Sequence, residues 1–164
     1  MDLSHLRRVI CAAAPLDAGV QSAVADRLGV EVGQGHGMTE LSPVTHLHAD
    51  GDRDEPVRGV GRLLPSTRAR LVDPDTGQDV AAGEPGEVWI HGPQVMKGYF
   101  GRPEDTDAMV DADDWLHTGD IARVVRVPPM CQVIGQKRVQ PEGRRGLSVP
   151  PVSGTSGDKG IPVR

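Results

Sequence analysis

Two short stretches of this sequence combine residue types that suit nucleotide chemistry, and the first is a glycine-rich run followed by a hydroxyl and a carboxylate. Gly33, Gly35 and Gly37 alternate along the chain, and Thr39 and Glu40 come shortly after them. Alternating glycines leave the backbone bare on one side, so that a flat ligand can lie against it. A threonine hydroxyl can hydrogen-bond a phosphate oxygen, and a carboxylate can reach a hard cation that bridges phosphates. The stretch therefore indicates a site for ATP with Mg²⁺, with an ordinary strand-to-loop turn as the alternative.

The second stretch runs from Trp115 to Asp120 and places an aromatic residue before a predicted turn that ends on a carboxylate. The carboxylate of Asp120 can accept hydrogen bonds from both hydroxyls of a ribose. Acidic residues are also common at turns, where they cap the backbone, and this alternative stays open.

The elements that must position the first stretch form an α/β pattern. A strand predicted over 6–10 is followed by a helix over 16–28, where apolar residues recur at the spacing of one helical face. Gly29 stands where such a helix is expected to end. A second strand over 30–32 opens into the glycine-rich run. Residues 1–56 are therefore predicted to be an α/β segment.

Residues 57–123 change in character, since short runs of β-type residues alternate there with turn signals. Strands are predicted over 68–72 and 87–91, and the region is expected to form a β-barrel-like subdomain. All four aromatic residues of the chain lie in this region and are expected to build its core: Trp89, Tyr99, Phe100 and Trp115.

Residues 124–164 hold six prolines and six glycines, with apolar residues at no steady period, and are predicted to be largely disordered. This tail carries a net charge of +5 within a chain of net charge −5, and the acidic remainder argues against nucleic-acid binding. The sequence shows neither a secretory signal nor an apolar run of the roughly 20 residues that span a membrane, so a cytoplasmic location is expected. The two cysteines lack the spacing of a zinc site.

Four segments, in this order along the chain, resemble the motifs of the adenylate-forming enzyme superfamily. Residues 7–16 resemble the motif written RxxxSGAAPL, and residues 34–40 resemble QGYGMTE. Residues 86–99 resemble GELxxRGPxxMxGY, and residues 115–120 match WxxTGD. Within the superfamily, these segments are similar to those of 4-coumarate and fatty acyl-CoA ligases and of luciferases. The resemblance implies the C-terminal part of the large N-terminal domain of such an enzyme, in truncated form.

The resemblance also implies a two-step reaction and a role for each candidate residue. A carboxylate would attack the α-phosphate of ATP to give an acyl-adenylate and pyrophosphate, and the thiol of coenzyme A would then displace AMP. Thr39 would bond the α-phosphate and Glu40 would assist Mg²⁺, which makes them the candidate catalytic residues, and Asp120 would hold the ribose. The other nucleotide-binding candidates form two walls around the adenine, with Gly37 beside the second: Ala13, Ala14 and Pro15, then Gln34, Gly35 and His36.

Departures from the family pattern set limits on what the chain is expected to do alone. His36 stands where the family has tyrosine, which keeps a ring there but lets it titrate near neutral pH. The upstream phosphate loop and the C-terminal domain with its catalytic lysine are missing, so an inactive fragment is expected. Residues 153–160 resemble that phosphate loop but lie at the wrong end of the chain.

Three alternatives remain open at this stage. The chain can be a non-catalytic protein that binds nucleotides or a partner. It can be a piece of a peptide-synthetase adenylation domain, which would pass its acyl group to a carrier protein instead of coenzyme A. The change of composition after about Val124 can also reflect a shifted reading frame.

Overall fold

The computed structural model describes residues 2–48, 59–126 and 129–136, which form two four-stranded sheets. The first sheet has the order β1-β2-β3-β4, in which β1 and β2 are parallel and the later pairs are antiparallel. Helix α1 (Ala18–Leu28) connects the two parallel strands. The strands of this sheet are β1 (Arg8–Cys11), β2 (Glu31–Gly37), β3 (Val44–Leu47) and β4 (Arg62–Leu63). The α/β character expected for this part of the chain is confirmed.

Helix α1 ends where Gly29 predicts, but it begins at Ala18, two residues later than predicted. Asp17 caps the helix, because its carboxylate accepts hydrogen bonds from the backbone N–H groups of Gly19 and Val20. Gly29 follows the last turn in the left-handed conformation, with φ of 64°. The apolar face of α1 that the sequence predicts is not fully buried, since Val20 is 51% exposed. The helix is tied to β2 by the buried Gln21, whose Nε2 donates to the carbonyl oxygen of Val32 at 2.6 Å.

The glycine-rich run is part of strand β2, and the prediction that its bare side faces a ligand is wrong. A Cβ on Gly33 would lie 2.9 Å from the Cβ of His48, and one on Gly37 would collide with the backbone of Pro43. The side on which these glycines lack side chains is therefore covered by β3 and by the residues on either side of it. The glycines allow the two strands to approach closely, and the opposite side of β2 carries the side chains of Gln34 and His36.

The second sheet is antiparallel and open, with the order β5-β6-β7-β8. Its strands are β5 (Arg68–Val72), β6 (Gly86–His91), β7 (Leu116–Arg126) and β8 (Pro129–Gln136), and the short helix α2 (Pro103–Asp107) lies between β6 and β7. The predicted strands over 68–72 and 87–91 are confirmed as β5 and β6.

The predicted limits of the β-subdomain differ from the observed elements at both ends. Strand β4 lies after residue 57 yet pairs with β3 of the first sheet. The predicted boundary at residue 57 itself lies outside the described residues. The prediction that the chain is largely disordered from residue 124 is wrong for residues 129–136. These residues pair with β7 as strand β8. The physical reason is that β7 offers a row of free backbone groups, which a neighbouring strand satisfies. Residues 137–164, with the loop-like segment 153–160, lie outside the described residues.

The core between the sheets is aliphatic, so the expectation of an aromatic core is wrong. The fully buried Leu41, in the 3₁₀ turn Thr39–Leu41 that follows β2, packs with Val88, Ile90, Leu116 and Ala122 of the second sheet. The aromatic residues lie elsewhere, because sheet alternation places Val88 and Ile90 inward and the intervening Trp89 outward. Trp89 stacks on His117 with ring centroids 3.7 Å apart, and Phe100 is fully exposed. No helix in the described ranges is long and apolar enough to span a membrane.

We predict that Leu41→Ala lowers the free energy of unfolding by about 2 to 5 kcal/mol, because it leaves a cavity between the two sheets. Urea unfolding followed by circular dichroism measures this change. Leu3→Ala is the matched control, since Leu3 is 47% exposed and its truncation opens no cavity. Equal effects of the two substitutions would contradict the assignment of Leu41 to the core.

Candidate functional site

A buried contact between His36 and Asp120 brings the two chemically suggestive stretches together. The Nε2 atom of His36 lies 2.7 Å from Oδ2 of Asp120, and each residue is 8% exposed. These residues are 84 positions apart in the chain. The structure thus places the carboxylate predicted to hold a ribose beside the ring predicted to face an adenine.

The direction of the Asp120 side chain is set by an irregularity in β7, where the sequence predicted a turn. His117 pairs with Trp89 and Ile121 pairs with Glu87, so three residues of β7 lie opposite one residue of β6. This bulge contains Gly119, whose φ of 71° is in the left-handed region that favours glycine. The N–H of Gly119 donates to Oε1 of Glu87 at 2.9 Å. Bulges re-aim side chains next to functional sites, and this one points Asp120 at β2.

Glu40, the predicted magnesium ligand, is held by the β-subdomain. The hydroxyl of Tyr99 donates to Oε1 of Glu40 at 2.7 Å, and the N–H of Met96 donates to the carbonyl oxygen of Glu40 at 2.8 Å. One carboxylate oxygen is thus committed, and Oε2 remains for a cation. Sequence reasoning missed Tyr99, although the residue closes the segment that resembles GELxxRGPxxMxGY. The spacing of 59 residues between the two partners gave no signal that they meet.

The predicted adenine loop lies at the surface and is anchored to β2. Ala13, Ala14 and Pro15 are exposed, and Ala13 has a φ of 75°, a strained conformation for a residue with a Cβ. The N–H of Leu16 donates to Oε1 of Gln34 at 2.9 Å. Gln34 therefore fixes the loop that follows β1 and belongs to the same strand as His36.

The predicted site residues fall into three local groups, each defined by one hydrogen bond. Gln34 joins the exposed loop 13–15 to β2, His36 joins β2 to Asp120, and Glu40 is joined to Tyr99. Thr39 is exposed at the start of the 3₁₀ turn, directly before Glu40. Gly35 and Gly37 lie in β2 between these groups.

The buried polar residues behind His36 continue its hydrogen-bond network. The Nδ1 atom of His36 lies 3.0 Å from Oγ1 of Thr45, and this hydroxyl oxygen lies 3.0 Å from Nδ1 of His46. Burial, and then the neighbouring His36, lowers the pKa of His46 to about 4. His46 is therefore neutral near pH 7, and the network carries no charge at that ring.

We predict that Tyr99 titrates with a pKa of about 12, raised from 10.0 by burial and then by its hydrogen bond to Glu40. Because Tyr99 is the single tyrosine of the chain, tyrosinate absorbance during an alkaline titration reports this group alone. Glu40→Gln should move the midpoint back toward 10, since the carboxylate no longer holds the phenolic proton. Glu84→Gln, at an exposed carboxylate, is the matched control and should leave the midpoint unchanged.

The same contact has a consequence for stability at high pH. A pKa that is raised on folding contributes stability below the unfolded value, and this contribution is lost as pH rises through the folded value. The free energy of unfolding should therefore fall between about pH 10 and pH 12, and Tyr99→Phe should lack this fall. A wild-type midpoint near 10 would contradict the contact.

Comparison with known proteins identifies the sequence class. The family model described as AMP-binding enzyme matches residues 1–100. 4-Coumarate-CoA ligase 5 of Oryza sativa subsp. japonica is 42% identical over 127 residues, which cover 75% of this chain and 24% of the ligase. Luciferin 4-monooxygenase of Photinus pyralis is 41% identical over 122 residues, which cover 74% of this chain and 22% of that protein. The chain thus spans about a quarter of the length of these relatives.

Solved structures agree with the sequence relatives. Apo MatB from Rhodopseudomonas palustris superposes with a TM-score of 0.72 at 32% identity, covering 82% of this chain and 26% of that one. The anthranilate CoA ligase AuaEII in complex with anthranoyl-AMP gives a TM-score of 0.74 at 28% identity, covering 82% and 25%. The fold is that of a part of the large N-terminal domain of adenylate-forming enzymes, and the resemblance noted in the sequence is confirmed. The chain belongs to the family of AMP-binding enzymes.

Proposed function

We propose that this chain supplies the adenine-nucleotide site of an AMP-forming acyl-CoA ligase. The observation that carries the proposal is the 2.7 Å contact between His36 and Asp120. This contact joins the motif at residues 34–40 to the motif at residues 115–120. In the full reaction a carboxylate attacks the α-phosphate of ATP, and the thiol of coenzyme A then displaces AMP. Such chemistry asks the protein mainly to align the reactants and to neutralise phosphate charge.

Each candidate residue has a role that fits its position in the fold. The exposed loop with Ala13, Ala14 and Pro15 forms one wall of the adenine site, and β2 with Gln34, Gly35 and His36 forms the other. Gly37 keeps β2 close to β3 so that Thr39 follows at the end of the site. Thr39, which is exposed, bonds the α-phosphate, and Asp120 accepts the ribose hydroxyls.

Glu40 fits a magnesium ion that ATP brings to the site. Mg²⁺ is commonly held by one or two carboxylates together with substrate phosphates, and it keeps several waters. The described residues contain no cluster of three or more candidate metal ligands, so a single carboxylate is the contribution expected here. Oε2 of Glu40 supplies it, while Tyr99 keeps the side chain in place through Oε1. The bound ion would neutralise charge that develops on the phosphates.

Coenzyme A as the acceptor and a carboxylic acid as the substrate follow from the relatives rather than from this site. Several relatives are named 4-coumarate-CoA ligases, and one solved neighbour is an anthranilate CoA ligase. The proposal places this chemistry in the cytoplasm, where ATP and coenzyme A are available. Transfer to a carrier protein, as in peptide synthetases, is the alternative acceptor chemistry.

We predict that AMP binds to the purified chain and that Asp120→Asn weakens this binding about tenfold to a hundredfold, because a charged acceptor of the ribose hydroxyls is lost. Isothermal titration calorimetry measures both dissociation constants. Asp75→Asn is the matched control, since Asp75 is exposed in the turn after β5 and its substitution should leave binding unchanged. Binding that is equal in all three proteins, or absent from folded wild-type chain, would refute the proposal.

A pyrophosphate-release assay with ATP, Mg²⁺ and 4-coumarate separates binding from catalysis. Release that Glu40→Gln abolishes would show that these residues perform the first half-reaction by themselves. AMP binding without release would assign to this chain the nucleotide site alone.

A further inference from the structure

A chain of four buried polar side chains stands behind the ribose carboxylate. It runs from Asp120 through His36 and Thr45 to His46, with successive donor-acceptor distances of 2.7, 3.0 and 3.0 Å. Thr45 is fully buried, and His46 is 4% exposed. Such a network is costly to bury unless each group is matched, so the positions of its protons are constrained.

The carboxylate end of the network fixes the first proton. An ionised carboxylate only accepts hydrogen bonds, so Nε2 of His36 must carry a hydrogen to stand 2.7 Å from Oδ2 of Asp120. If His36 is neutral, its Nδ1 accepts from the hydroxyl of Thr45, and Nδ1 of His46 donates to that hydroxyl oxygen. If His36 is protonated, its Nδ1 donates to Thr45, and the threonine proton turns to Nδ1 of His46 or to the carbonyl oxygen of His36. Both arrangements satisfy the hydrogen bonds of the network. In both of them, Nε2 of His36 donates its hydrogen to Asp120.

The two oxygens of Asp120 are therefore not equivalent. Oδ2 receives the hydrogen from His36. Within the described residues Oδ1 accepts no hydrogen bond, and it is not among the buried atoms that lack a partner, so solvent reaches it. The backbone N–H of Asp120 donates to Oγ1 of Thr118 at 3.1 Å, which fixes the main chain beneath the side chain. The open oxygen is the one that ribose hydroxyls can reach.

We infer that His36 is a positioning residue for ribose recognition, which holds Oδ2 of Asp120 so that Oδ1 is presented to the ribose hydroxyls. This inference rests on the proposed nucleotide site. It differs from a stacking role for the His36 ring, because stacking acts on the adenine whether or not the sugar has a 2′-hydroxyl. The ratio of the affinities for AMP and 2′-deoxy-AMP therefore separates the two roles.

The test is calorimetric titration of wild type and His36 variants with AMP and with 2′-deoxy-AMP. Wild type should prefer AMP by on the order of tenfold, since the deoxy sugar leaves a charged acceptor unmatched. His36→Leu, which fills similar space but donates nothing, should reduce this preference to about twofold or less. His36→Gln should retain most of it, because the side-chain amide supplies an N–H donor at a similar reach.

Each outcome has a separate meaning. If His36→Leu weakens both nucleotides equally and the ratio stays at the wild-type value, the ring only stacks and the inference is overturned. If folded wild type binds neither nucleotide, the proposed function fails as well. If wild type binds but shows no preference for AMP, the ribose role of Asp120 fails, and the positioning role of His36 fails with it.

A second measurement on the wild-type protein does not depend on a variant that folds. Nuclear magnetic resonance of the wild-type protein should show a slowly exchanging Nε2–H signal of His36, shifted by its charged partner. The signal should persist when AMP saturates the site, because the contact supports the bound state. Its disappearance on AMP binding would mean that ribose displaces His36, which would overturn the inference.

Discussion

A buried carboxylate costs free energy unless hydrogen-bond donors meet it, and Asp120, which is only 8% exposed, depends on His36 for that match. The two residues come from different sheets, so this hydrogen bond also links the two sheets. Leu41 reinforces this arrangement because it enters the core of the second sheet from the turn that follows β2. The polar and apolar contacts act on the same short stretch of chain, residues 36–41.

Local sequence signals were sufficient for elements whose structure is decided locally. Helix α1 ends at the predicted Gly29, and β5 and β6 follow an alternation that needs no distant partner to be recognised. The four motifs also placed the family and the segment of its fold correctly, because their order along the chain is specific. Three local contacts join candidate site residues to other elements, namely Leu16 with Gln34, His36 with Asp120, and Glu40 with Tyr99.

Features that depend on distant partners were missed or misread. The glycines of β2 were interpreted as a bare ligand surface, whereas Pro43 and His48 cover that side, and only the packing of β3 reveals it. The segment before Asp120 has the composition of a turn, and pairing with β6 converts it into a bulged strand. The contact of Tyr99 with Glu40 joins two motifs whose residues have no common period. Alternation in β6 sends Trp89 to the outer face, which composition alone cannot indicate.

A site assembled from two sheets couples ligand binding to folding. His36 and Glu40 belong to the first sheet and the turn after it, while Asp120 and Tyr99 belong to the second part of the fold. A nucleotide that contacts both parts binds only when they are packed together, so its binding free energy adds to the stability of that packing. The glycines that let β2 and β3 approach, and the bulge that turns Asp120 toward β2, are therefore requirements of the proposed site as well as of the fold. Glycines occupy the centre of both motifs because β2 must lie close to β3 and because β7 must form a bulge before Asp120.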